Sequence, residues 1–363
     1  MKSTLEIVRV PSARGFAARE FLQLPERIYR GCDRWVPILR TDARLILARR
    51  HPFFERQEAE FLIARRNGET RGSIAVFGIP HRPRTRGSRT AHFHFFESFN
   101  DQEVADALFG AACAWARARG LHTLEGPVGF GMLGSGILMD HYESRAAMSL
   151  TPYNHEYYPR LLEGFGFAKR EDVRSFQADG LSVRLPEKMR RAAETALKKG
   201  GFLVPEKTGV AELRAWGKGP IGGREENRGD APWKHPLFSQ PELRTWSEPQ
   251  LLRLLSLRGE QAGFLAAFPD ISLSLIRGKG SRRNGTPQTE RRLIVGGFGM
   301  LPRFRCPDGS AVLCLELERL ARSGRFDSVE VTGIAESDEG VPADLKAMGL
   351  KAERTHRIFR YAL

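Results

Sequence analysis

Residues 298–324 read FGMLPRFRCPDGSAVLCLELERLARSG. An apolar strand runs into a turn holding Arg305 and Gly309, and a long amphipathic helix follows, closed by Gly324. Backbone N–H groups and the dipole at the start of such a helix can cradle a phosphate. Pro307 offers no N–H to that cradle, and Asp308 brings a negative charge into it. Two readings of the turn stand side by side. Either Arg305, Gly309 and Ser310 still contact a phosphate through a rearranged loop, or Asp308 is simply the N-cap of the helix that follows.

Working outward from this stretch, the chain reads as two copies of one unit, 1–180 and 181–363. In the first, TLEIVRV is a strand and about Arg14 to Tyr29 is a helix with one apolar face. EAEFLIARRNGETRGSIAVFGI is a hairpin turning on Asn67-Gly68. TAHFHFFESF is an alternating strand whose Phe residues face one side. Asn100 or Asp101 caps a helix that ends on Gly120, HTLEGPV is a short strand, YNHEYYPRLLEGFGF a helix closing on Gly164 to Gly166, and REDVRSFQAD an edge strand. The second half repeats the order. It has a hairpin on Arg258-Gly259, the strand RRLIVGGFGMLP, the helix to Gly324, the strand SVEVTGIAES, the helix VPADLKAMG and the strand ERTHRIFRYAL. Duplication explains this order more simply than coincidence. Residues 205–250, with Trp216, Trp233 and Trp246, interrupt the second copy, and the tryptophans are expected to be packing anchors.

The 363 residues are 41% hydrophobic, enough for two ordinary domain cores. The segment MKSTLEIVRV lacks an apolar signal core, and no apolar run approaches the roughly 18 residues of a membrane span. A cytoplasmic protein is therefore expected. Cys32, Cys113, Cys306 and Cys314 form no CxxC pair, so buried free thiols are expected in place of disulfides or zinc. His92 and His94 flank Phe93 with no third ligand nearby and read as ordinary strand residues, and no metal is expected. The formal net charge is +14, and much of it lies in two Gly/Pro/Ser-rich loops at 82–89 and 277–292. Such loops are either polyanion-binding or a solvated basic surface. Metalloprotease, α/β-hydrolase and P-loop signatures are missing.

The element order resembles the GNAT superfamily of acyl-CoA N-acyltransferases. The segments LPERIYRGCDRWVPILR, HPFFE, FFESF, GPV, TPYNHEYYPRLLEGFGF and LPRFR resemble its double-GNAT, YghO-like branch. The resemblance implies an α/β fold of two units, each a mixed, mostly antiparallel, splayed sheet flanked by helices. It implies an acyl-CoA (acetyl-CoA or longer) whose pyrophosphate lies at a Gly-rich turn like that around Arg305, Gly309 and Ser310. It also implies an amine acceptor, either a small molecule or a peptide.

In the first unit the corresponding turn, FFESFNDQEVAD, has no glycine. It carries Glu97, Asp101 and Glu103, which would repel a pyrophosphate. Glu97 is a candidate general base, or else a charge that stabilises the helix start. The family's thiolate-protonating tyrosine would fall at Leu162 or Leu345, so Tyr157 or Tyr158 takes its place as the candidate, with packing as the alternative. Tyr153 and Asn154 are candidate acceptor contacts. So are His141 and Tyr142, at the end of the glycine-rich stretch GPVGFGMLGSGILMDHYES, which reads as a lid or a plain surface connection. Two further functions fit duplicated GNAT units: an aminoacyl-tRNA-dependent, Fem-like transferase using the arginine loops, and an inactive scaffold that binds RNA or protein.

Overall fold

A computed structural model of the chain describes residues 4–38, 40–50, 54, 57–79, 89–129, 134–144, 151–205, 248, 251–272, 291–338 and 340–363. The tryptophan-bearing insertion and the arginine loops, apart from Pro205, Glu248, Arg89, Arg291 and Arg292, lie outside these residues. The chain divides into two compact units. The first comprises Met1–Asp172 with Thr355–Leu363, and the second Val173–Arg354.

The first unit contains β1 (Leu5–Arg9), α1 (Phe16–Ile28), α2 (Arg40–Leu47), β2 (Glu58–Arg66), β3 (Glu69–Gly78), β4 (Thr90–Ser98), α3 (Gln102–Arg117), β5 (Thr123–Gly126), β6 (Ile137–Leu138), α4 (Tyr158–Phe165) and the start of β7 (Ala168–Asp179). Neighbouring strands run antiparallel from β1 to β4, and β4 then pairs in parallel with β5. Phe61, Ile63, Ala75 and Phe77 point to one face of this sheet and pack on Phe21, Ile46 and Leu47. The other face takes α3, which comes so close at Gly72 that a Cβ there would lie 2.7 Å from Val104 Cγ1.

The second unit opens with the end of β7 and continues with α5 (Glu187–Lys198), β8 (Phe202–Leu203), β9 (Leu252–Leu257), β10 (Glu260–Pro269), β11 (Arg292–Met300), α6 (Pro307–Ala321), β12 (Ser328–Ala335), α7 (Gly340–Ala347) and the start of β13 (Lys351–Ala362). Strands β8 to β11 are antiparallel, β11 and β12 parallel, and β12 pairs antiparallel with β7. In the first unit β5 pairs with the end of β13 in the same way. Each unit therefore receives its closing strand from the end of the other sequence half, which a linear division cannot express.

The duplication is visible in details beyond element order. The hairpin tips Asn67-Gly68 and Arg258-Gly259 have φ values of 52° and 81°, and of 51° and 82°. These are the left-handed pairs that two-residue hairpins favour. G-E-x-x-G follows in both, from Gly68 and from Gly259. The carbonyl of Arg89 accepts the N–H groups of His122 (2.7 Å) and Thr123 (3.3 Å), and that of Arg291 accepts those of Asp327 (2.7 Å) and Ser328 (3.5 Å). A glutamate occupies the same place on the parallel strand of each unit. Glu125 pairs with Arg170 at 2.8 Å and with Arg360 at 2.5 Å. Glu330 is fully buried and takes Arg292 at 3.0 Å and Arg354.

In both units the parallel pair is short. Thr90–His92 match Thr123–Glu125, and Arg292–Val295 match Ser328–Val331. Beyond these residues, apart from the Phe93 carbonyl that accepts Val128 N–H at 2.9 Å, β4 and β11 run on without a parallel partner in register among the described residues, which is the splay expected of the fold.

Candidate active site

The site grows out of an irregularity in β4. Opposite Ile74 the strand carries an extra residue, and Phe95 adopts φ 50°. Such a bulge shifts the alternation of faces by one residue. The Phe side chains therefore do not share a face, as plain alternation would have it. Phe93 and Phe96 both meet Phe109 of α3, with ring centroids at 5.6 and 4.4 Å, whereas Phe95 meets Phe21 of α1 at 6.0 Å. The shift also turns Glu97 away from α3.

Two helix ends converge on Glu97. Tyr29 is the C-cap residue of α1, and Tyr158 is the first residue of α4. Tyr158 donates its hydroxyl to Glu97 Oε2 at 2.6 Å, Tyr29 donates to the same oxygen at 2.9 Å, and the two phenol oxygens lie 3.1 Å apart. Ser98 N–H donates to the Tyr158 oxygen at 3.3 Å, and Tyr157 donates to the Ser98 carbonyl at 2.8 Å. Tyr29 and Tyr158 are buried, and Tyr157 is half-buried. A ladder of rings backs the carboxylate. Tyr29 stacks on Trp35 at 5.1 Å and on His155 at 5.0 Å, and Tyr157 stacks on His155 at 5.5 Å.

Burial raises the Glu97 carboxyl to about 7, against the opposing pull of the hydrogen bonds from Tyr158 and Tyr29. Burial and the nearby Glu97 charge push Tyr29 and Tyr158 well above the ordinary phenol value, and Tyr157 upward as well. The cluster is thus a carboxyl poised to exchange a proton near neutrality, held by phenols that keep theirs. Tyr29 is absent from the residues singled out in the sequence. The bulge that aims Glu97 and the helix end that delivers Tyr29 are tertiary features, and the one local cue is the position of Tyr29 at the end of an amphipathic helix.

The remaining candidates of the first unit fall into two groups. Tyr153 joins the aromatic cluster, 6.1 Å from Tyr29, and bonds to Arg34. Asn154 is buried, with Oδ1 accepting from Leu138 N–H at 2.8 Å and Nδ2 donating to the His155 carbonyl. Tyr142 donates to the Leu138 carbonyl at 2.7 Å, and burial pushes it up to about 12. Asn154 and Tyr142 thus both secure Leu138 of β6. His141 is exposed, has φ 50° and lies 3.2 Å from Glu143. The described ends of the glycine-rich stretch are tied together, with Gly129 N–H on Ser135 Oγ and Gly136 N–H on the Pro127 carbonyl, both at 2.8 Å. His94 is buried, and burial lowers it to about 4. Among the described residues, no group of three or more His, Cys, Asp or Glu side chains could hold a metal ion.

Each helix N-terminus that could receive a pyrophosphate is capped from within. In the first unit Asp101 accepts from Val104 N–H, and Arg66 pairs with both Asp101 and Glu103 at 3.0 and 2.7 Å. In the second unit the N-cap is Cys306, not Asp308. Its Sγ accepts from Gly309 N–H at 3.4 Å and its carbonyl accepts from Ser310 N–H at 3.1 Å. Met300 fills the space above the turn, its Sδ 2.9 Å from where a Gly309 Cβ would stand. Arg305 is exposed, 4.0 Å from Asp338. The N–H groups of Gly309 and Ser310 are therefore already spoken for. Of the loop arginines, Arg291 pairs with Asp327 at 2.8 Å, and Arg292 is buried in β11 between Asp270 and Glu330. Arg292 belongs to the core and not to a basic loop.

No family model matches the chain. A tandem GNAT protein from the clavulanic acid biosynthesis pathway superposes with a TM-score of 0.57 at 14% identity, over 99% of this chain and 98% of that one. The chain has the tandem GNAT fold. The GCN5-related glucosamine N-acetyltransferase region of a fungal multi-domain β-N-acetylglucosaminidase superposes with a TM-score of 0.64 at 13% identity, covering 99% of this chain and 38% of that longer one. In sequence, the chain is 21% identical to Protein YghO of Escherichia coli over 359 residues, 94% of this chain and 92% of the relative. It is 24% identical to the bacterial ceramide synthase of Caulobacter vibrioides over 376 residues, 95% of this chain and 94% of the relative. Both likenesses run almost end to end, as the YghO-like resemblance implies.

Proposed function

We propose that this protein is an N-acyltransferase that moves a fatty acyl group from an acyl-CoA to the amine of a long-chain amino lipid, with the chemistry in the first unit at Glu97. The observation that carries this reading is the convergence of Tyr158 and Tyr29 on one oxygen of a carboxyl raised to about 7. The short parallel pairing of β4 supports it, since the register with β5 ends at His92 while the strand continues to Ser98, and a splayed pair is where an acyl-CoA would lie. The name of the Caulobacter relative supports a lipid amine as acceptor, since a ceramide is an N-acylated long-chain base.

Glu97 takes a proton from the acceptor's ammonium, and the freed amine attacks the thioester carbonyl, so that a C–N bond forms as the C–S bond breaks. Tyr158 and Tyr29 position the carboxylate and stabilise its charge. Tyr157, half-buried and kept protonated by its raised pKa, gives a proton to the departing thiolate and takes back the one that the new amide nitrogen sheds. Palmitoyl-CoA and sphinganine are suitable probes. The expected result is an amide detected by mass spectrometry with one free thiol released per amide, and absence of both across a series of acyl-CoA chain lengths and amines would refute the reading.

One observation favours a second reading. Internal capping of both helix N-termini suits a donor that carries no pyrophosphate, such as an aminoacyl-tRNA. Steeply salt-dependent tRNA binding, flattened by neutralising the arginines of 277–290, would support it, and an unchanged slope would refute it.

A further inference from the structure

Two adjoining open depressions lie along the C-terminal half of α6 in the second unit. One, of about 420 Å³, is lined by Arg184, Arg190, Glu318, Arg319 and Arg322. The other, of about 410 Å³, shares Arg319 and sets Arg253 and Arg325 around an apolar floor that includes Leu251 and Leu320. The carboxylates here are buried and fully used. Glu318 accepts from Arg190 at 2.8 Å through each oxygen and from Leu185 N–H at 3.0 Å. Glu316 accepts from Arg253 at 2.9 Å and from Arg319 at 2.6 Å.

Arg322 gives one N–H to the Leu181 carbonyl at 3.1 Å, and both Arg184 and Arg322 are exposed. No carboxylate among the described residues pairs with either of them, so the cleft keeps an excess of guanidinium charge. Beside it, Leu181 is 68% exposed. It is the most exposed of the large apolar side chains among the described residues, and here it sits beside guanidinium groups that no described carboxylate neutralises. It suits the interface of an anionic bilayer, where the apolar side chain enters the headgroup layer and guanidinium groups hold lipid phosphates. A single-stranded nucleic acid would call for aromatic stacking partners, and neither depression is lined by one.

We propose that this arginine-rimmed face of the second unit docks on an anionic phospholipid surface, with a headgroup phosphate in the cleft and Leu181 in the headgroup layer. The proposal extends the lipid-amine reading by saying where a membrane-borne acceptor is met. It is tested without acyl donor, so the two can fail separately.

The full chain is sedimented with vesicles of phosphatidylcholine alone or mixed with phosphatidylglycerol, at low and high salt. Binding is expected to the mixed vesicles only and to weaken with salt. The double variant Arg184→Gln/Arg322→Gln should bind about 25-fold more weakly, roughly 5-fold for each arginine removed. Leu181→Ser should weaken binding further. A charge-matched pair on the first unit away from exposed apolar side chains, Arg117→Gln/Arg160→Gln, should leave binding almost unchanged.

Three results would overturn the proposal. The first is no binding to the mixed vesicles. The second is an equal loss in both double variants. The third is a soluble partner in place of the vesicles, seen as stabilisation by inorganic phosphate, or retention of an RNA oligonucleotide, that depends on Arg184 and Arg322 while vesicles are not bound.

Discussion

Replacing Glu97 with Gln probes both the stability and the chemistry of the site. Burial raises this carboxyl from 4.5 to about 7, so folding favours its protonated form. The stabilisation from that proton is fully present below pH 4.5 and is lost as pH rises through 7. At 1.36 kcal/mol for each tenfold change in proton affinity, the loss at pH 8 is about 3 kcal/mol. Glu97→Gln keeps an oxygen that can accept from Tyr158 and Tyr29 but cannot ionise. The variant should melt only about 1–2 °C above the wild type near pH 5 and roughly 5 °C or more above it at pH 8. Differential scanning fluorimetry from pH 5 to 8.5 reads the difference. Parallel melting curves for the two proteins would refute the placement of a titrating carboxyl here. The same variant should lose 10²- to 10⁴-fold in kcat, the usual worth of a positioned base. Activity of the wild type should rise with pH through about 7, because the base works as the carboxylate.

Other consequences are equally specific. Tyr29→Phe removes one donor from the Glu97 carboxylate, so the rising limb of kcat against pH should move upward at a stability cost of about 1 kcal/mol; an unmoved limb would deny Tyr29 its positioning role. Glu330→Ala leaves Arg292 and Arg354 buried without their shared carboxylate and should cost about 3–5 kcal/mol in chemical denaturation, whereas a loss under about 1 kcal/mol would mean that water replaces the pair. Gly72→Ala forces a Cβ against Val104 and Leu108 and should destabilise by about 1–3 kcal/mol, and an unchanged denaturation midpoint would show that α3 can shift.

The duplicated order of strands and helices was legible because it rests on short-range signals. The left-handed tips at Asn67-Gly68 and Arg258-Gly259 are written in their residue types, as is the Asp101 cap. What escaped the sequence depends on register and on chain path. The bulge at Phe95 has no residue signature, yet it decides that Glu97 faces Tyr29 and not α3. Cys306 is a poor N-cap by propensity, and it displaces Asp308 because Pro307 follows it and places Gly309 N–H within reach of its sulfur. The closing strands β7 and β13 read as ordinary ends of their own halves, and nothing local marks that each completes the other unit's sheet. Glu97, Tyr157 and Tyr158 came from their place in the element order, whereas Tyr29 needed the fold.

Amide formation by the purified protein and by its Glu97→Gln variant, from palmitoyl-CoA and sphinganine at pH 8, tests the central claim most directly. The proposed account predicts product from the wild type and at least a hundredfold less from a variant that is folded and no less stable. Equal product from both proteins would contradict it.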